Sequence, residues 1–484
     1  MAQNTAVACG FSESSEQQIA VTWQRKREFI FGSIFDMKVL IVSFWFPPAN
    51  VVGAIRVGKL ARYLDRHGHE VRVLTTNIGG DQSLPLEIPI EQVIYTEYRQ
   101  RRDRLVLLGR SFRRRTAAAL GVSGETSLAE GNRPSKPAWD WLQRQYYALV
   151  HIPDMRSDWI KTAMPAGRQL VEEWRPDIIF ASAPPFTGLI VAGRLSRAFD
   201  IPWVADFRDL WVDNPYYGYR EPGWRRPVDA MIERLMVKNA TALVTVSPGW
   251  AEELRRRHSK PTDVVYNGYA EEDFPQSPLS DDQGEVLRIR YTGSIYQGFR
   301  DPSALFAAIG LLGETLRERV RVEFFGDAGD EVLALAEQHR VCDRVIVRTS
   351  VPYRCALKLQ MEADILLLLQ WSDKRDEGNI PGKIFEYLYA RRPILFIGYE
   401  HGIAARLIRE RRGGLVSNTP ELIRDQLKTW IEDKQAGRLK ALDPSVSRGL
   451  SRDDQFRNLE QILADVLRRN PRIGERSGVA LGDE

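Results

Sequence analysis

A chain of 484 residues with 43% hydrophobic and 27% charged residues has the composition of an ordinary folded protein, with room for two or three domains that each bury a core. The formal charge of +4 is small, and no apolar run approaches the ~20 residues that a membrane-spanning helix needs. Three cysteines, Cys9, Cys342 and Cys355, show neither paired spacing nor a Cys/His cluster, which excludes a disulfide framework or a zinc site and fits a reducing compartment.

Residues 1–36 read as a disordered leader or as the product of an upstream start codon, because Met37-Lys38 opens a strand as a first methionine would. The stretch Arg25–Phe35 imitates a signal peptide, but its apolar part is short, follows Glu28 and lacks a small-residue cleavage site. Val39–Phe44 is then a continuous apolar strand, Pro47, Pro48 and Gly53 form a loop, Ile55–Arg66 has helical spacing, and Val71–Thr76 is the next strand. Such a unit seeds a parallel sheet with both faces covered. An insertion at about 97–150 breaks the rhythm. It carries Arg99, Arg101, Arg102, Arg104, Arg110, Arg113, Arg114 and Arg115, interrupted by Leu105–Leu108, and reads equally as a basic amphipathic element on an anionic membrane or as a solvated loop.

Further strands follow at Ile178–Ala181, Trp203–Ala205 and Leu243–Val246. Directly after the second of these come Asp206, Arg208 and Asp209, three charges at a strand's carboxyl end that either face a cleft or compensate one another in a salt bridge. Ser182–Pro185 is a rigid turn on the same edge, and Gly53 permits close backbone approach. His67 and His69 flank Gly68 at a helix end, away from that edge, and read as a cap rather than as metal ligands.

After an acidic, proline-containing linker at Glu271–Glu285, a second α/β series places strands at Leu287–Tyr291, Val320–Phe325, Val345–Val347, Ile365–Leu369 and Ile394–Ile397. Two doubly wound domains imply a cleft between them, with ligands at the carboxyl ends of the strands. A last helical stretch, Asp454–Arg469, is long enough to return and brace the first domain.

The most informative segment is Asn379–Gly398. Pro381 and Gly382 shape a turn, a helix starts near Lys383, and Glu386 falls one turn inside it on the same side. The unsatisfied N–H groups of a helix start attract an anion. A glutamate in a first turn also stabilises the helix dipole by ~0.3–1 kcal/mol with no ligand present. Lys383 opposes that dipole and calls for something anionic, for which a nucleotide diphosphate is the obvious candidate. Gly293-Ser294 with Gly298, and Gly326-Asp327, recur after successive strands on the same edge and join the cradle.

Together, Phe46–Pro48 with Gly53, Gly68–Leu74, Asp206–Trp211, Thr245–Ser247, Tyr266–Gly268, Tyr291–Gly293 and Lys383–Glu386 resemble a GT-B glycosyltransferase of the family 4 type over almost all of residues 37–470. The nearest flavour is that of capsule and O-antigen sugar transferases. The resemblance implies two Rossmann-like doubly wound domains facing across a cleft: 37–275 for the acceptor and 276–445 for the nucleotide sugar, with a helix at 446–470 and a tail at 471–484. It implies that Glu386 binds the ribose, that Lys383 and the amides near Ile384 bind the diphosphate, and that Gly293 and Ser294 bind its other face, with Arg300 as a later cation. Arg208 and Asp209 become the candidate catalytic residues, and Gly53 and Asp206 the candidate acceptor contacts. Two departures stand out: Gly378 occupies the place of a second glutamate, eight residues before Glu386, with Glu377 adjacent, and Ser294 stands where arginine is common.

The expectation is a cytoplasmic enzyme, at the inner face of the membrane, that moves a sugar from a nucleotide-diphosphate donor such as a UDP-sugar to a lipid-linked or polysaccharide acceptor. Retaining chemistry of this type needs neither cofactor nor metal, and no nucleic-acid partner is expected. The alternatives are a nucleotide-sugar 2-epimerase of the same plan, which would want a histidine and acids in the cleft, and a non-catalytic nucleotide-sugar-binding partner in a polysaccharide assembly complex.

Overall fold

The computed structural model describes residues 36–77, 82–99, 137–212, 214, 216, 222–275, 284–295, 298–326 and 329–470. The leader, most of the arginine-rich stretch, Asp327 and the tail lie outside the described residues.

The first sheet contains β1 (Lys38–Val42), β2 (Glu70–Asn77), β3 (Val93–Glu97), β4 (Ile178–Ala183), β5 (Trp203–Phe207), β6 (Ala242–Thr245) and β7 (Thr262–Val264). Their order is β3-β2-β1-β4-β5-β6-β7, and every neighbouring pair is parallel. The second sheet contains β8 (Leu287–Thr292), β9 (Val320–Phe325), β10 (Val345–Arg348), β11 (Ile365–Leu369), β12 (Ile394–Ile397) and β13 (Gly414–Val416), in the all-parallel order β10-β9-β8-β11-β12-β13. The strand order reverses direction beside β1 in one sheet and β8 in the other, which places a ligand crevice at each.

Central strands such as β4 and β11 are buried along their whole length, as continuous apolar runs between two helical layers should be. β3, β7 and β13 are short edge strands with partly exposed or polar residues, so no apolar run marked them in the sequence. Two boundaries shift in ways that matter for the site. β5 runs on through Phe207, so Asp206 lies within the sheet, and the helix after β1 begins at Val52, so Gly53 is in its first turn rather than in a loop.

The first domain buries Trp159, Trp203, Phe207 and Trp211 on one face of its sheet. On the other face, helix Val52–Arg66 packs with Phe456, Leu459 and Leu463 of the terminal helix Arg452–Arg468. A buried polar cluster fixes that helix in place. The Met37 N–H donates to His69 Nδ1 (3.2 Å), the other ring nitrogen lies 3.0 Å from Glu460, and the Tyr63 hydroxyl donates to the same carboxylate (3.0 Å). Burial alone would raise the Glu460 pKa, but these hydrogen bonds hold it below the usual value. His69 is thereby a structural residue beneath the terminal helix.

The chain passes between the domains twice, and the two crossings are joined side by side. The Tyr269 N–H donates to the Leu450 carbonyl (3.2 Å) and the Arg452 N–H to the Tyr269 carbonyl (2.7 Å). Gly268 makes this possible: its φ is +63°, and a Cβ there would stand 2.9 Å from the Arg452 nitrogen.

Candidate active site

The carboxyl ends of the two sheets face each other across a cavity of about 1380 Å³. Gly293, Ser294, Arg300, Lys383 and Glu386 line it from the second domain, and Arg56, Arg208, Asp209, Tyr216 and Trp250 from the first. Asn267, Gly268 and Arg452 close it at the crossings.

On the second-domain side, Lys383 is the first residue of helix Lys383–Ala390, and its Nζ reaches to 4.5 Å from the centre of the Tyr291 ring at the end of β8. Gly293, with φ +130°, leaves the space this requires, since a Cβ there would overlap Lys383 Nζ. Arg300 Nη1 donates to the Ser294 carbonyl (2.7 Å), which braces the loop after β8 and brings a second cation to the same wall. Burial pushes Lys383 down to about 7, and the neighbouring Arg300 adds to the effect, while Glu386 offsets it only in part. A buried ammonium so placed attracts an anion.

Glu386, one turn further on, accepts hydrogen bonds from the Tyr353 hydroxyl (3.2 Å) and from Gln360 Nε2 (3.1 Å). Burial raises its pKa, and Gln360, Arg452, Lys383 and Tyr353 pull it back. The Ile384 amide is placed differently from the expectation. Its N–H is taken by the Pro381 carbonyl (3.1 Å) inside the turn, so this amide is not a donor to the cavity.

On the first-domain side, the Asp206–Trp211 segment divides. Arg208 and Asp209 line the cavity, whereas Asp206 is fully buried and does not. Asp206 accepts from Ser182 Oγ (2.7 Å) and lies 3.5 Å from Arg56 Nε, so it holds Arg56 rather than an acceptor. Arg56 in turn donates to the carbonyls of Tyr266 (2.8 Å) and Val265 (3.0 Å) and lies 3.3 Å from Asn267 Oδ1. Arg452 continues this line from the other crossing, with Nε donating to the Asn267 carbonyl (3.2 Å) and its charge felt by Glu386. Gly53 is likewise not a cavity residue: a Cβ on it would stand 3.0 Å from Arg208 Cζ, so its absent side chain is what lets the Arg208 guanidinium lie across the helix start. Arg208 Nη2 also donates to the Pro184 carbonyl.

The acid beside Gly378 that turns inward is Asp376, while Glu377 is exposed. Asp376 accepts from the Tyr216 hydroxyl across the domain boundary (2.9 Å) and from Asn379 Nδ2 (3.1 Å), and burial raises its pKa to about 6. Arg56, Tyr216, Trp250, Tyr353, Gln360, Asp376 and Arg452 escaped the sequence reading, because each is brought to the cleft by packing rather than by a local motif. Among the described residues, no group of three His, Cys, Asp or Glu side chains is arranged to hold a metal ion.

Residues 53–270 match the family described as Glycosyl transferase 4-like domain. No curated protein sequence matches the chain significantly. Among solved structures, Anabaena HepE in complex with UDP-glucose superposes with a TM-score of 0.55 at 14% identity, over 89% of this chain and 100% of that one. The lipopolysaccharide outer core galactosyltransferase WaaB follows at 0.53 and 12% identity, over 89% and 99%. Sucrose-phosphate synthase from Thermosynechococcus elongatus gives 0.52 and 13%, over 91% and 98%. At such identities the likeness is one of fold.

Proposed function

Because the chain is a GT-B glycosyltransferase of the family 4 type, we propose that it moves a sugar, with retention, from a UDP-sugar to a lipid-linked or polysaccharide acceptor of the cell surface, working at the cytoplasmic face of an anionic membrane. The observation that carries the donor assignment is the buried ammonium of Lys383, set over Gly293 beside Arg300 with Glu386 one turn away. Solved structures of the same fold hold UDP and UDP-glucose, which supports the nucleotide.

In this reading the diphosphate lies against Lys383 and Arg300, and the ribose hydroxyls meet the Glu386 carboxylate. As the bond from the anomeric carbon to the diphosphate oxygen breaks, negative charge grows on the leaving group. Cations already fixed in the cleft wall stabilise that charge without reorganising. Arg208 and Asp209 approach from the opposite domain, where the donor sugar and the incoming hydroxyl meet. Arg56 and Arg452 act as positioning residues, joining the floor of the cavity to the crossings.

A panel of sugar nucleotides, scored by thermal stabilisation of the protein, identifies the donor, since a ligand that binds the folded state raises its stability. Transfer and binding assays on Lys383→Ala and Glu386→Ala then test the site. Both should weaken UDP binding and abolish turnover. Unchanged UDP affinity in both would overturn the donor-site assignment, and a wild-type protein that binds a sugar nucleotide without turning it over would be a binding partner instead.

A further inference from the structure

The side of the first domain formed by helices Pro137–Val150 and Arg225–Val237 carries an apolar surface that no part of the described chain covers. Trp141, Leu142 and Leu149 on the first helix, and Met231 and Leu235 on the second, are each more than half exposed. Spacings of seven or eight residues from Trp141 and Leu142 to Leu149, and of four from Met231 to Leu235, place each set on one helical face. The helices are held together where they meet: Arg225 donates to the carbonyls of Ala148 (2.6 Å) and His151 (3.0 Å), and Trp224 Nε1 to Gln145 Oε1.

Among the described side chains of the two helices the exposed charges have one sign; the side chain of Asp140, beside Trp141, lies outside them. Both acids of helix Arg225–Val237 are engaged in ion pairs, Asp229 with Arg225 (2.8 Å) and the fully buried Glu233 with Arg257 (2.9 Å), while His258 Nε2 lies 2.9 Å from the same Glu233 carboxylate. Among the described side chains, the charged ones left exposed are cationic: Arg144 on the first helix, Arg226 and Arg234 on the second, and Lys238 just beyond it. Apolar side chains interleaved with four exposed cations, with both acids of the second helix paired, match a bilayer interface bearing anionic headgroups better than they match another protein. We propose that this two-helix face docks the protein on an anionic lipid bilayer, the apolar side chains entering the interface and Arg144, Arg234 and Lys238 meeting lipid phosphates. The proposal rests on the lipid-linked reading of the acceptor and names the surface that serves it.

The test uses the full chain and vesicles of either phosphatidylcholine alone or phosphatidylcholine with one-third phosphatidylglycerol, read by flotation. The wild type should float with the anionic vesicles only. The variant Trp141→Ser/Leu149→Ser/Met231→Ser/Leu235→Ser, and separately Arg144→Glu/Arg234→Glu/Lys238→Glu, should each lose on the order of tenfold or more in binding, while UDP affinity stays unchanged and confirms folding. Equal binding by both variants overturns the surface assignment alone. Wild-type protein that never floats, yet glycosylates a water-soluble glycan, overturns the lipid-linked reading as well. A concentration-dependent dimer that the serine variant abolishes assigns the face to a second copy and overturns the membrane proposal.

Discussion

Trp250 and Gly378 meet edge to backbone across the domain boundary, so closely that a Cβ on Gly378 would lie 2.7 Å from the indole Cδ1 and 2.8 Å from Nε1. Ser247, which caps the helix carrying Trp250, donates from its hydroxyl to the Gly378 carbonyl. The position at which the sequence resemblance calls for a second glutamate is thus occupied by a contact from the opposite domain. Gly378→Glu should therefore destabilise the protein, by about 1–3 kcal/mol as an overpacked contact does, instead of restoring a missing function. Trp250→Ala in the same chain should recover part of the loss. Urea denaturation of the two single variants and the double variant reads this coupling directly.

Lys383 predicts a proton linkage. Its folded pKa of about 7 lies below its ordinary value of 10.5, so between these two pH values the unfolded chain binds more protons and this residue's contribution to stability rises with pH. A diphosphate beside the ammonium favours the charged form and raises the pKa again. UDP binding at pH 8 should then take up a proton, seen as a dependence of calorimetric binding enthalpy on the buffer's ionisation enthalpy. Lys383→Met should abolish the uptake, and an unchanged uptake would show that another group titrates.

Gly53 and Arg208 separate positioning from binding. Gly53→Ala should displace the guanidinium while leaving the donor wall of the other domain intact. A shift of ~1 Å costs up to roughly 100-fold in rate, so kcat should fall by tenfold or more with UDP affinity unchanged. A loss of UDP binding equal to the loss of kcat would place Arg208 in the donor site instead.

Asp376 and Tyr216 link the domains through a carboxyl whose pKa is about 6 against an ordinary 3.8. A raised folded pKa contributes stability that is complete below the unfolded value and is lost as pH rises through about 6. Asp376→Asn should accordingly gain on the wild type above pH 6, by on the order of 1–3 kcal/mol, and lose that advantage near pH 4. Denaturation midpoints measured at both ends of the range decide the matter.

Sequence periodicity was sufficient to locate the long central strands, because a strand buried on both faces must be apolar along its length, and β9, β11 and β12 carry the boundaries their residues predict. The Lys383–Glu386 helix start was legible for a similar reason, since a helix terminus and its first turn are local chemistry. The other half of the site was not local. Asp206 reads as an exposed acid after a strand until two more residues of pairing carry it inside the sheet, and Gly53 reads as a loop residue until Arg208 is laid across it. Arg452, 185 residues beyond Asn267, reaches the cavity only because its helix packs on the first domain and the two crossings pair. Residue type and spacing therefore determined the two sheets and the anion-seeking helix start. Which charges face the cleft, and which serve only to hold those that do, was decided by long-range packing, which no short stretch of sequence encodes.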